Sequence, residues 1–293
     1  MKLAIGLVQM AMGADPSDNL RKAVEQIGRA AQAKANVVCL PELFMTPYFC
    51  QKEDPANFDL AEPIPGPTTE KLGKISAREK ITVVATIFEK RAPGLYHNTA
   101  VVIGPDGAII GTYRKMHIPD DPSYFEKYYF TPGDLGYKAF PTPFGKIGVL
   151  VCWDQWYPEA ARLTALKGAN VIFYPTAIGW HPAEKESHGP GQLDAWRTVQ
   201  RGHAVANGVF IAAANRVGFE KSENGDDGLD FWGSSFIADP FGKTLVSASG
   251  GAEETIVREI DLEQIENVRR QWPFLRDRRV DSYAQITDRY TEE

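Results

Sequence analysis

Apolar runs of four to seven residues recur along the chain, each cut short by polar or turn-forming residues: 3–9 (LAIGLVQ), 37–40 (VVCL), 82–88 (TVVATIF), 147–152 (IGVLVC), 171–174 (VIFY) and 209–214 (VFIAAA). Runs of this length with little polar alternation read as strands buried on both faces. Such strands need a covering layer on each side, and the intervening segments have helical spacing. Leu20, Ala23, Val24, Ile27 and Ala31 share one helix face behind Ser17-Asp18-Asn19, which offers N-cap chemistry. Further helices are predicted over 68–79, over 158–167 with a stop at Gly168, over 192–207, and after a capping Asp261. Two hairpins are predicted, 97–103 with 108–113 around Gly104-Pro105-Asp106-Gly107, and 232–238 with 243–247 around Asp239-Pro240-Phe241-Gly242. A last strand is expected over 256–260. The pattern implies an α/β protein with mixed sheets covered by helices. Residues 46–67, 123–137 and 177–191 show no period and read as irregular loops. The second, SYFEKYYFTPGDLGY, is longer than a connector needs.

No composition break divides the 293 residues, so one domain is expected, with a basic tail from Trp272 to the end docking on a partner subunit. A net charge of −6 argues against nucleic acid or an anionic membrane as partner, since both select basic surfaces. The run at 3–10 is short and soon followed by Asp15 and Asp18, so it reads as a core strand and not a signal peptide. No stretch approaches the ~18 apolar residues of a membrane-spanning helix. Three cysteines, Cys39, Cys50 and Cys152, form an odd set without CxxC spacing, which suggests neither a disulfide framework nor a zinc knuckle and favours the cytoplasm. His181 and His188 lack a third ligand at short spacing, so no metal is expected. His117 and His203 read as packed or hydrogen-bonded residues, and no cofactor is expected.

Three reactive side chains stand at strand exits: Glu42 after 37–40, Lys115 after 108–113, and Cys152 at the end of 147–152. Side chains at strand ends of open α/β sheets project into one crevice. Taken singly each has an ordinary explanation: a helix-start carboxylate, a solvated lysine, and a cysteine packed as a small hydrophobe. As a set they meet one chemical need. A thiol is mostly protonated at neutral pH and needs a base or cation to act as a nucleophile. Glu42 can take the proton, while Lys115 and the backbone N–H of Trp153 can stabilise the oxyanion formed on a carbonyl.

LPELF (40–44), YRKMHIP (113–119) and VCWDQWYPE (151–159) closely resemble, in order and spacing, the three signature segments of the nitrilase, or carbon-nitrogen hydrolase, superfamily. Phe130-Thr131-Pro132-Gly133, Asn215-Arg216, Gly233-Ser234-Ser235 and Asp239-Pro240-Phe241-Gly242 extend the resemblance to nearly the whole chain. It implies a four-layer α-β-β-α sandwich, a Glu42–Lys115–Cys152 triad, no metal, and self-association to a homodimer or larger. It also implies a supporting glutamate, at Glu126. Within the superfamily, TPYFCQ (46–51), residues 136–162 and FYPTAIGW (173–180) resemble the branch acting on N-carbamoylputrescine in polyamine biosynthesis. The implied substrate is then a small cationic carbamoyl amine, with Glu184, Glu186 and Asp194 as candidate counter-charges and Tyr124, Trp180 and Trp153 as walls. Other readings keep the triad and change the substrate to another carbamoyl amine or amino acid, an ω-amide or a nitrile. A non-catalytic binding module on the same fold, or a thiol-redox role, belongs to a different class.

Overall fold

Strands without a polar face become the two middle layers of a stack. The structure, a computed structural model, describes residues 1–222 and 228–291. Its strands are β1 (Lys2–Gln9), β2 (Val37–Cys39), β3 (Thr82–Ala92), β4 (Leu95–Ile103), β5 (Ile109–Arg114), β6 (Ala139–Thr142), β7 (Gly145–Val149), β8 (Val171–Pro175), β9 (Gly179–Trp180), β10 (Phe210–Ala214), β11 (Val217–Lys221), β12 (Gly228–Trp232), β13 (Phe236–Ala238), β14 (Thr244–Ser247) and β15 (Glu254–Asp261). Its helices are α1 (Pro16–Gln32), α2 (Pro67–Glu79), α3 (Glu126–Tyr129), α4 (Pro158–Leu166), α5 (Gly189–Asn207) and α6 (Glu263–Gln271).

One sheet has the order β15-β1-β2-β3-β4-β5, a second β14-β13-β10-β8-β7-β6, and β11-β12-β9 form a small third. Successive residues of the first sheet serve different cores, as strand geometry requires. Val37, Cys39, Val84, Ala100 and Val102 face the second sheet, alongside Ile147, Val149 and Val171. Val38, Leu40, Val83, Ala85, Val101 and Ile103 face outward, under Ala23, Ile27 and Ala30 of α1 and Leu72 and Ile75 of α2. Ala160, Ala161 and Ala165 of α4, with Trp196 and Ala204 of α5, pack on the second sheet. The result is the expected α-β-β-α sandwich.

In the first sheet β1, β2 and β3 are parallel, and β5, two antiparallel steps from β3, runs with them. In the second, β7, β8 and β10 are parallel. At the strand exits lies a smaller, aromatic core of Leu43, Tyr48, Cys50, Phe88, Tyr129, Phe130 and Phe231. The segments expected as irregular loops therefore fold, and they do so as a lid on the sheet ends. Within 123–137 the chain makes helix α3, and 46–67 contains 3-10 turns at Phe49–Gln51 and Pro55–Leu60.

Several expectations about boundaries are corrected. The α1 cap is Asp15, whose Oδ1 accepts from Ser17 N at 2.8 Å. Asn19 is buried instead, bonded to Gly13 and to the Met45 carbonyl. Helix α5 starts at Gly189, three residues before the expected Gln192. Trp232 belongs to β12 and not to the β13–β14 hairpin, because Gly233 and Ser234 turn the chain between them with φ of 55° and 58°. β3 continues to Ala92 and pairs with β4 across Pro93-Gly94. Its end is Glu89-Lys90-Arg91, whose charges mask the strand in sequence. β6, β9, β11 and β12 were not expected either, being short and partly polar. The N-cap of α6 is Leu262 and not the expected Asp261, which ends β15 one residue earlier and still accepts from Glu263 N at 3.1 Å. The tail carries 3-10 turns at Val280–Ser282 and Ala284–Thr287, and Arg278, Tyr283 and Ile286 line a cavity with residues of α4 and α5. Residues 292–293 of the expected docking tail lie outside the described residues. No helix among the described residues is long and apolar enough to cross a membrane.

Candidate active site

Glu42 stands three residues beyond β2 and is fully buried. Its backbone N–H bonds the Thr176 carbonyl at 3.2 Å, which ties the first sheet to the exit of β8. The next residue, Leu43, adopts φ of 49°, held by a 2.6 Å bond from its N–H to Thr86 Oγ1. Glu42 Oε1 accepts from Asn98 Nδ2 at 2.7 Å and from Lys115 Nζ at 2.8 Å, while Oε2 is buried with no partner among the described residues. Asn98 also accepts Lys115 N at its carbonyl, 2.9 Å away, so this one β4 residue sets both groups. Sequence reading missed it. The signal available was a polar residue inside an apolar strand run.

Lys115 follows β5 and is also fully buried. Besides Glu42 it reaches Glu126 Oε2 at 2.6 Å, and Glu126 Oε1 accepts from Tyr48 OH at 2.6 Å. The structure thus brings Glu126 to the lysine as expected, by folding it into α3. Burial disfavours the ammonium, but Glu126 and Glu42 outweigh burial and hold Lys115 well above its ordinary range. Burial raises the Glu126 carboxyl to about 7, opposed by Lys115 and reinforced by Glu42.

Cys152 begins a 3-10 turn, Cys152–Trp156, three residues beyond the end of β7 at Val149. Its φ is 43°, a left-handed conformation rare for a side chain with a Cβ. Asp154, also buried, secures this turn: Oδ2 accepts from Val151 N at 2.9 Å and from Tyr113 OH at 2.8 Å, and Oδ1 accepts from His117 N at 3.0 Å. The His117 ring bonds the same Oδ1 and stacks on Tyr157 with centroids 3.7 Å apart. One carboxylate therefore ties the Cys152 turn to the chain leaving β5. The thiol points at the Ala177 carbonyl, 3.8 Å away. Burial pushes it well above its ordinary pKa; Glu42 adds to this and Lys115 opposes it. The resting group is a neutral thiol, so a nucleophile forms here only as its proton passes to a base.

Cys152 and Glu126 open onto a cavity of about 590 Å³, within the ordinary size of a small-molecule site. Tyr124 and Trp153 line it, as expected, and so does Glu184 at its mouth. Trp180 does not line it. Its indole donates to the Gly189 carbonyl at 3.1 Å and packs 5.3 Å from Trp232, behind the wall. Glu186 and Asp194 are exposed and do not line it either. Asp194 lies two residues, about 200°, around α5 from the buried Trp196, which turns it to solvent. Asp121, Trp156, His181 and Trp232 line the cavity without having been singled out as walls. Asp121 had a signal, the Pro-Asp-Asp-Pro turn directly after the lysine segment. His188 is exposed, and no cluster of three metal-ligating side chains occurs among the described residues.

A carbon-nitrogen hydrolase family model matches residues 4–270. The chain is 44% identical to an N-carbamoylputrescine amidase of Solanum lycopersicum over 96% of this chain and 93% of that protein. It is 38% identical to a citrullinase of Francisella tularensis over 98% and 99%. The solved structure of a carbon-nitrogen hydrolase from Helicobacter pylori G27 superposes with a TM-score of 0.96 at 46% identity, covering 99% of this chain and all of that one. The protein belongs to the carbon-nitrogen hydrolase family and is an amide-hydrolysing enzyme.

Proposed function

We propose that this enzyme hydrolyses N-carbamoylputrescine to putrescine, carbon dioxide and ammonia, a step of polyamine synthesis. Cys152 Sγ attacks the carbamoyl carbon as its proton passes to Glu42, whose Oε2 has no hydrogen-bond partner among the described residues. The carbonyl oxygen becomes an oxyanion facing Lys115 and the Trp153 N–H, a donor that the first turn of the 3-10 segment leaves without a helical partner. The tetrahedral adduct collapses as the amide nitrogen takes the proton held by Glu42 and leaves as ammonia, with a carbamoyl thioester remaining on Cys152. Water gives a proton to Glu42 and adds to that carbon, the C–S bond breaks, and the thiol regains a proton. The released carbamate loses carbon dioxide to give the diamine. Glu126 supports Lys115 throughout, as its second carboxylate partner.

The observation that carries the substrate is the charge of the cavity. Among the described residues its lining has the carboxylates of Asp121 and Glu184, the rings of Tyr124, Trp153, Trp156 and Trp232, and neither lysine nor arginine. A diamine tail finds counter-charges and cation–π faces there. Citrulline, or an ω-amide bearing a carboxylate, would set its own carboxylate against them unpaired. The relatives named N-carbamoylputrescine amidase point the same way. Three unpaired thiols suit the reducing cytoplasm, and exposed Leu163, Leu166, Tyr283 and Ile286 offer an apolar face for a second copy of the chain.

The test is ammonia release from a panel of N-carbamoylputrescine, citrulline, an ω-amide acid and an aliphatic nitrile. Cys152→Ser is expected to fold and release none. Asp121→Asn with Glu184→Gln should raise KM for the carbamoyl diamine about tenfold, equivalent to ~1.4 kcal/mol, with little change in kcat. Citrulline turned over as well as the diamine would overturn the assignment.

A further inference from the structure

Two adjacent residues outside the cavity, Asn215 and Arg216, hold the backbone on both sides of the reacting groups. They follow β10, both are fully buried, and a bridge from Met10 to Arg216 sets them beside the exit of β1. Consecutive residues of extended chain point in opposite directions, and these two reach different loops. Asn215 Oδ1 accepts from Ile178 N at 3.0 Å and Thr176 Oγ1 at 2.9 Å, and its Nδ2 donates to the carbonyls of Ile178 at 2.9 Å and Gly233 at 3.1 Å. It therefore pins both neighbours of Ala177, the residue whose carbonyl meets the Cys152 thiol. Arg216 donates through Nε to the Glu42 carbonyl at 3.0 Å, through Nη2 to the Leu43 carbonyl at 2.5 Å, and through Nη1 to Glu220 Oε1 at 2.8 Å. Glu220 Oε2 in turn accepts from Tyr48 N at 2.5 Å, and Tyr48 OH bonds Glu126.

A buried ion pair is a weak way to stabilise a fold. What an arginine offers here is a rigid planar fork that satisfies two consecutive carbonyls and a carboxylate at once, which a lysine's single ammonium does not reproduce. The two carbonyls belong to Glu42 and to Leu43, the residue held at positive φ. We infer that Asn215-Arg216 is a clasp that sets Glu42 of one sheet against Cys152 of the other, with Arg216 positioning the carboxylate and Asn215 the wall at the thiol. Neither touches the substrate. The inference rests on Cys152 and Glu42 being nucleophile and base.

The readout is the rate of Cys152 alkylation by iodoacetamide in the full-length protein, followed across pH by peptide mass spectrometry, with turnover of N-carbamoylputrescine measured in parallel. Arg216→Lys keeps a cation beside Glu220 but loses the fork. It is expected to slow Cys152 alkylation about tenfold near pH 7.5 and to move the rising limb to higher pH, with Cys39 labelling unchanged. An Arg216→Lys profile that superimposes on wild type overturns the clasp, since charge alone would then suffice. If that variant does not fold, Asn215→Asp serves: it keeps the acceptor contacts and turns the two donor contacts into repulsions, so the same displacement is expected and its absence overturns the inference. A displaced profile in a protein that does not turn over the carbamoyl diamine leaves the clasp standing and removes the substrate. A wild-type Cys152 no more reactive than Cys39 overturns both.

Discussion

Burial raises the Glu126 carboxyl from 4.5 to about 7; Lys115 opposes the rise and Glu42 adds to it. The folded protein holds this proton more tightly than the unfolded chain, so the contribution is fully present below about pH 4.5 and is lost as pH rises through 7. The loss is on the order of a few kcal/mol. Glu126→Gln keeps the shape and removes the titration. Urea unfolding of both proteins at pH 4.5 and pH 8 should show wild type losing stability relative to the variant as pH rises, and parallel curves would contradict the assignment. The same residue shows what a motif does and does not disclose. Its place beside Lys115 came from a family resemblance, whereas its raised pKa comes from the closing of Tyr48, α3 and the aromatic core around it.

At the scale of elements, the segment 123–137 is pressed onto the exit of β5. Gly133 donates to the Lys115 carbonyl at 2.8 Å, and a Cβ added there would lie 2.1 Å from the Arg114 carbonyl oxygen and 3.0 Å from that of Lys115. Both are backbone atoms in a paired strand end and cannot give way. Gly133→Ala is expected to cost about 1–3 kcal/mol of stability and to lower kcat by displacing Lys115, measured by thermal unfolding and by ammonia release. This also explains why the segment was illegible as structure. Its aromatic residues have no period because each fills a place against a different partner: Phe130 against Phe88, Tyr129 against Phe58, Tyr124 against Tyr48. The strands β2, β7, β8 and β10 were legible because two-sided burial writes itself as a local apolar run.

For the whole molecule, the face formed by α4 and the tail is apolar and exposed. Leu163 and Leu166 of α4 are 43% and 45% exposed, and Ile286 of the tail is 64% exposed beside them. We expect sedimentation velocity to find a dimer or larger assembly, and Leu163→Glu combined with Ile286→Glu to shift it to monomer with the fold retained. A wild-type monomer at micromolar concentration would remove the self-association reading. The amino-acid sequence alone determined the layered α/β class and the three side chains at strand exits, since strand burial and short motifs are local properties of the chain. The tertiary structure decided which carboxylates face the cavity, that Trp180 lies behind its wall, and that Asn98, Asp154 and Arg216 hold the site. Those outcomes depend on contacts between residues as far apart as Glu42 and Arg216, where conformation is set by the packing partner and no local pattern records it.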